Sequence, residues 1–138
     1  MRLQLALNVT DLDEAVDFYT KMFGVEPAKV RPGYANFAVA DPPLKLVLFA
    51  GQGEGGTINH LGVETEAADE VVAAEARLTA ADLATTGVDD TECCYAEKTE
   101  TWLTGPDGAQ WEWYVKTGDS ERFTSAAVAP ACGTCCPT

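Results

Sequence analysis

Histidine is almost missing from this chain: 138 residues contain one, His60, in the stretch Gly56-Thr57-Ile58-Asn59-His60-Leu61-Gly62-Val63. Basic residues are scarce too. Nine Lys and Arg stand against 22 Asp and Glu, a formal charge of −13. With no Lys/Arg stripe to offset that charge, phosphate backbones and anionic membrane surfaces are excluded as partners, and the charge reads as solubility. No long apolar run exists; segments such as Leu46-Val47-Leu48-Phe49-Ala50 are far too short to span a bilayer. The first residues lack the basic start and small-residue cleavage site of a signal peptide, which predicts a cytoplasmic protein. Cysteine is absent before residue 93 and then comes in two clusters, Cys93-Cys94 and Cys132, Cys135 and Cys136. A disulfide framework would spread along a small secreted chain, so clustered cysteines read as reduced thiols that bind something.

What is present suffices for a packed interior: 46% of the residues are apolar, and the length suits one domain or two small modules sharing a core. The chain also repeats itself. Gln4-Leu-Ala-Leu-Asn-Val-Thr-Asp-Leu-Asp13-Glu14-Ala-Val16 aligns with His60-Leu-Gly-Val-Glu-Thr-Glu-Ala-Ala-Asp69-Glu70-Val-Val72, and Lys21 aligns with Arg77 at the same offset. Each copy alternates like a strand and then takes helical spacing. In the first, Asp11 and Glu14 form a capping box and Gly24 is placed to end the helix. Strands are expected near 28–30, 35–39 and 44–49. In the second copy a strand at 58–64 and a helix near 68–83 precede strands near 93–96, 101–103 and 110–115. The fold class is therefore α+β: two βαβββ modules, over about 1–52 and 56–117, that can pair their sheets around a cupped centre fit for a ligand. The modules make one domain over about 1–122, and residues 123–138 are expected to be a flexible Cys-containing tail that captures a soft ion or is incidental.

His60 heads its strand, and the equivalent residue of the first copy, Gln4, is also polar. A lone histidine is usually structural, but two matching polar residues aimed at one cavity need a reason, because buried polar groups without partners cost free energy. Glu112 lies between Trp111 and Trp113. If the tryptophans pack outward against a helix, Glu112 points inward, where a carboxylate needs a partner or a metal; the alternative is an exposed residue on an edge strand. One imidazole nitrogen, one carboxylate oxygen and one amide oxygen make a divalent-metal donor set, a variant of the 2-His-1-carboxylate facial triad with open positions. Cys93 and Cys94 are adjacent on an expected mobile loop, and strict strand alternation would let only one face inward, so the segment must bend for both to act.

The paired βαβββ modules, with a polar residue on the first strand of each and Glu112 on the last strand, resemble the vicinal oxygen chelate superfamily of glyoxalases, extradiol dioxygenases and bleomycin-resistance proteins. The stretches Leu5–Val9, Pro32–Phe37, Ala40–Leu48, Asn59–Gly62, Cys93–Ala96 and Trp102–Glu112 resemble its C–As lyase and cadmium-induced branch, over roughly residues 1–122. The resemblance implies a non-haem Fe(II) dioxygenase, with O2 as co-substrate, that breaks the carbon–arsenic bond of trivalent organoarsenicals. It implies Gln4, His60 and Glu112 as iron ligands and Cys93-Cys94 as the arsenic-binding pair, in a monomer or homodimer. Some relatives have histidine where this chain has Gln4. Non-catalytic sequestration of arsenic, cadmium or a drug, or another reaction on the same scaffold, are the rival readings.

Overall fold

A computed structural model describes residues 1–121. Its element order repeats: β1 (Arg2–Val9), α1 (Leu12–Phe23), β2 (Lys29–Arg31), β3 (Tyr34–Val39), β4 (Leu44–Ala50), then β5 (Ile58–Glu64), α2 (Ala68–Ala80), β6 (Asp89–Cys93), β7 (Ala96–Thr104) and β8 (Gln110–Asp119). This is βαβββ twice, as the repeat predicts. Two compact units are distinguished, Arg2–Leu61 and one that begins at Gly62 and also takes in Met1.

In the first unit β2 and β3, and β3 and β4, run antiparallel, whereas β1 runs parallel to β4 with Gln4 opposite Lys45 and Asn8 opposite Phe49. Alternation along β1 sends Leu5, Leu7 and Val9 to a core with Phe37, Leu46 and Leu48, covered by Leu12, Ala15, Val16, Tyr19 and Phe23 of α1. The other face of β1 buries Gln4, Ala6 and Asn8. The helix begins where expected: the Asp11 carboxylate accepts from the Glu14 amide at 3.0 Å. It ends where Gly24 takes φ 69°, a left-handed conformation that glycine adopts without penalty.

In the second unit β6, β7 and β8 form an antiparallel meander, with Trp102 opposite Glu112 and Glu100 opposite Tyr114. Helix α2 starts at Ala67, where the side chain of Glu70 accepts from the amides of Glu66 and Ala67 and satisfies donors the helix leaves open. Val71, Ala74 and Leu78 are its buried face. It stops at Ala80, three residues short of the expected end, because the chain turns through Asp82 at φ 64°. A larger difference concerns 93–96. The strand expected there is a hairpin: Cys93 pairs with Ala96, and the two residues between them, Cys94 and Tyr95, take φ of 56° and 64°. Both central residues at positive φ define a tight two-residue turn of the kind that usually carries Asn-Gly. Strand propensity hid it, because nothing in Cys-Cys-Tyr-Ala reads as a turn.

Candidate metal and thiol site

Gln4 and His60 are brought together. Both are buried, and the amide nitrogen Nε2 of Gln4 lies 3.0 Å from Nε2 of the imidazole. The repeat that aligned these residues thus also places them in contact. On the other side of the ring, Nδ1 is 2.8 Å from Oδ1 of Asn59. Phe49 packs beside the imidazole with centroids 6.1 Å apart, and Tyr34 meets Phe49 edge-on at 5.5 Å. An aromatic row therefore excludes water from that flank of His60, and these two aromatics are wall rather than distant core.

Glu112 is fully buried, as the inward reading of Trp-Glu-Trp requires, and Trp113 faces the helix side, its ring 5.6 Å below the guanidinium of Arg77. The carboxylate Oε2 of Glu112 lies 3.4 Å from the ammonium of Lys98, itself buried and 5.0 Å from the Tyr114 ring centroid. Tyr114 donates its hydroxyl to Glu64 at 3.3 Å. Glu100, two residues along from Lys98 on the same face, accepts from Trp102 Nε1. Burial pushes its carboxyl from 4.5 up to about 8; the nearby Lys98 charge opposes this, and Glu112 reinforces it by charge and by hydrogen bonding. Oε1 of Glu100 has no hydrogen-bond partner among the described residues.

Lys98 and Glu100 were not singled out in the sequence. Ala-Glu-Lys-Thr-Glu-Thr looks like a solvated strand, and only the alternation of Lys98 and Glu100 with Trp102 marks a buried face. Asn59 was missed for the opposite reason, since alternation puts it off the His60 face.

Cys94 is buried in the hairpin turn and so leaves the strand alternation. Cys93 ends β6. The amide of Ser120 donates to the carbonyl of Tyr95 at 3.0 Å and ties the turn to the end of β8, so the pair sits on an anchored tip rather than a long loop. Cys132, Cys135 and Cys136 lie outside the described residues.

A family model, Glyoxalase/Bleomycin resistance protein/Dioxygenase superfamily, matches residues 3–113. The chain belongs to this superfamily. Among its relatives the chain is 56% identical to the cadmium-induced protein CadI of Mycobacterium tuberculosis over 124 residues, covering 90% of this chain and 82% of that one. It is 52% identical over 132 residues to a trivalent organoarsenical cleaving enzyme of Thermomonospora curvata, covering 95% and 87%. The Mn(II)-bound glyoxalase of Novosphingobium aromaticivorans shares the superfamily fold at a TM-score of 0.62 and 17% identity, over 92% of this chain and 41% of that one. Among the described residues no helix is long and apolar enough to cross a membrane.

The donor atoms of the first unit fit a superfamily metal. Two atoms bound side by side to one ion at about 2.1 Å lie about 3.0 Å apart, which is the separation of the Gln4 and His60 side-chain atoms. A half-turn of the Gln4 amide exchanges nitrogen for oxygen and presents the ligand atom in the same place. Glu112 supplies the chemistry of a buried carboxylate that already keeps a cation beside it.

Proposed function

We propose that this chain is a non-haem Fe(II)-dependent dioxygenase that cleaves the carbon–arsenic bond of trivalent methyl- or arylarsenicals and releases arsenite. The observation that carries the reading is the 52% identity, across nearly the whole chain, with an enzyme named for trivalent organoarsenical cleavage. The buried thiol of Cys94, held in a backbone conformation that costs a non-glycine residue about 1–2 kcal/mol, supports it, because local cost of this kind gathers at functional sites.

Gln4, His60 and Glu112 are the proposed ligands. The amide and imidazole are neutral and the carboxylate brings one negative charge, so the set lowers the ion's charge without cancelling it. When bound, iron(II) supplies the one-electron chemistry that allows dioxygen to react. The Cys93-Cys94 pair holds the substrate: an arsonous acid R–As(OH)2 exchanges two oxygens for two sulfurs of the thiols, forming two As–S bonds and releasing two waters. Soft sulfur suits soft arsenic, and tethering makes the later oxidation effectively unimolecular.

The test is anaerobic incubation with Fe(II) and a trivalent arylarsenical, followed by air, while free arsenite and oxygen uptake are measured. Arsenite released only when both iron and oxygen are present is expected. Arsenical held stoichiometrically, with no arsenite and no oxygen consumed, overturns the reading in favour of sequestration.

A further inference from the structure

Beyond the imidazole a chain of side chains runs back through the first unit. Asn59 Oδ1 faces His60 Nδ1 at 2.8 Å; Asn59 Nδ2 donates to Asn8 Oδ1 at 3.0 Å; Asn8 Nδ2 donates to Thr57 Oγ1 at 3.0 Å; and Thr57 Oγ1 donates to the backbone carbonyl of Glu54. The last member fixes all the others. A carbonyl can only accept, so the single hydroxyl proton of Thr57 points to it and the hydroxyl oxygen is left to accept from Asn8. The amide of Asn8 must then turn its NH2 to Thr57 and its oxygen to Asn59. The amide of Asn59 must turn its NH2 to Asn8 and its oxygen to the ring. Facing an oxygen, Nδ1 of His60 carries the hydrogen, and Nε2 is left as the acceptor, as its 3.0 Å contact with the Gln4 amide nitrogen also requires.

We propose that Asn59, aligned by Asn8 and Thr57, is a positioning residue that holds His60 in its Nδ1–H tautomer and so keeps Nε2 available to a metal. The metal half of this statement rests on the function proposed above; the tautomer half does not. Partners of this kind on the far nitrogen of a metal-binding histidine fix its orientation, and losing them typically lowers metal affinity about 10–100-fold. A neighbouring glycine is fitted to the same chain. A Cβ at Gly53 would stand 2.7 Å from Asn8 Nδ2, so the loop approaches the amide as closely as it does only because Gly53 has none.

The single histidine makes the experiment direct. In the full-length, metal-free, 15N-labelled protein, long-range proton–nitrogen correlation of the imidazole reports which nitrogen is protonated, and the only ring signals are those of His60. Protonated Nδ1 and bare Nε2 are expected in the parent. Asn59→Leu should shift the population toward Nε2–H, the form free imidazole side chains prefer, and Thr57→Val should do so to a smaller extent. Asn59→Asp keeps an acceptor and should restore Nδ1–H. Mn(II) binding, followed by the loss of the free ion's magnetic-resonance signal, should weaken about 10–100-fold in Asn59→Leu. A parent with protonated Nε2, or a folded Asn59→Leu with an unchanged tautomer, overturns the proposal. So does a tautomer shift that leaves Mn(II) affinity as in the parent. The parent spectrum decides the tautomer even if a variant fails to fold. A parent that binds no Mn(II) while showing protonated Nδ1 counts against the metal reading and leaves the tautomer assignment standing.

Discussion

In the first unit the polar side chains linked to His60 are neutral, Gln4 and Asn8 buried, Asn59 half-buried and Thr57 exposed, and their hydrogen bonds all run in one direction. The second unit buries charged groups, Lys98, Glu100 and Glu112, together with Tyr114. The two clusters thus differ in their electrostatics. Neutral networks are cheap to bury once every donor has an acceptor, and what they provide is orientation. Ionisable clusters are expensive to bury and persist only with close countercharge, and what they provide is charge.

The largest expected effect is on metal. His60→Ala and Glu112→Ala should each reduce Fe(II) binding, measured anaerobically, to near background. Gln4→Ala should weaken it less and Gln4→His retain it, since histidine restores the usual triad. Full occupancy in His60→Ala would break the assignment. Next in size is Lys98→Met, which removes the ammonium from beside two buried carboxyls and should cost about 3–5 kcal/mol in denaturant unfolding. Gln4→Leu in the metal-free protein should cost about 1 kcal/mol, the scale of a neutral hydrogen bond. Equal costs for these two variants would erase the contrast.

The charged unit also predicts a pH dependence. Glu100 titrates at about 8 when folded against 4.5 ordinarily, with burial as the first cause. The folded protein therefore binds a proton that the unfolded chain has already released, and this group's contribution to stability falls as pH rises through that window, then levels off. The slope is at most about 1.4 kcal/mol per pH unit. Glu100→Gln keeps a neutral side chain of the same shape. It should match the parent near pH 5 and exceed its melting temperature at about pH 9, whereas equal melting temperatures at the higher pH would show that the carboxyl ionises freely. The smallest effect tests the turn. Cys94→Gly should be more stable than Cys94→Ala by about 1 kcal/mol, because glycine accepts positive φ and alanine does not, while both should lose arsenical binding.

The alternation of β1, the capping of α1 by Asp11 and Gly24, and the pairing of Gln4 with His60 were all legible, because each is written in short-range spacing or in the repeat. The inward aim of Glu112 was legible from its flanking tryptophans. The Cys94-Tyr95 turn was not, since its residues are poor turn formers and only the pairing of β6 with β7 forces them into it. Nor were Lys98 and Glu100, because charge on a strand reads as solvent-facing until the countercharge across it is known. Asn59 reaches the ring from the far side of its strand, a geometry that no periodicity encodes.

Glu54 enters the hydrogen-bond chain through its backbone carbonyl, and its side chain plays no part there. The identity of that side chain is therefore immaterial to the chain of hydrogen bonds. Chain length there is another matter. One residue inserted or deleted between Gly51 and Thr57 would move the carbonyl off Thr57, free the hydroxyl to rotate, and let both asparagine amides invert. The error would surface at the imidazole as a proton on the wrong nitrogen. Exposed loops usually tolerate insertion and deletion well; here the number of residues sets where the Glu54 carbonyl meets Thr57.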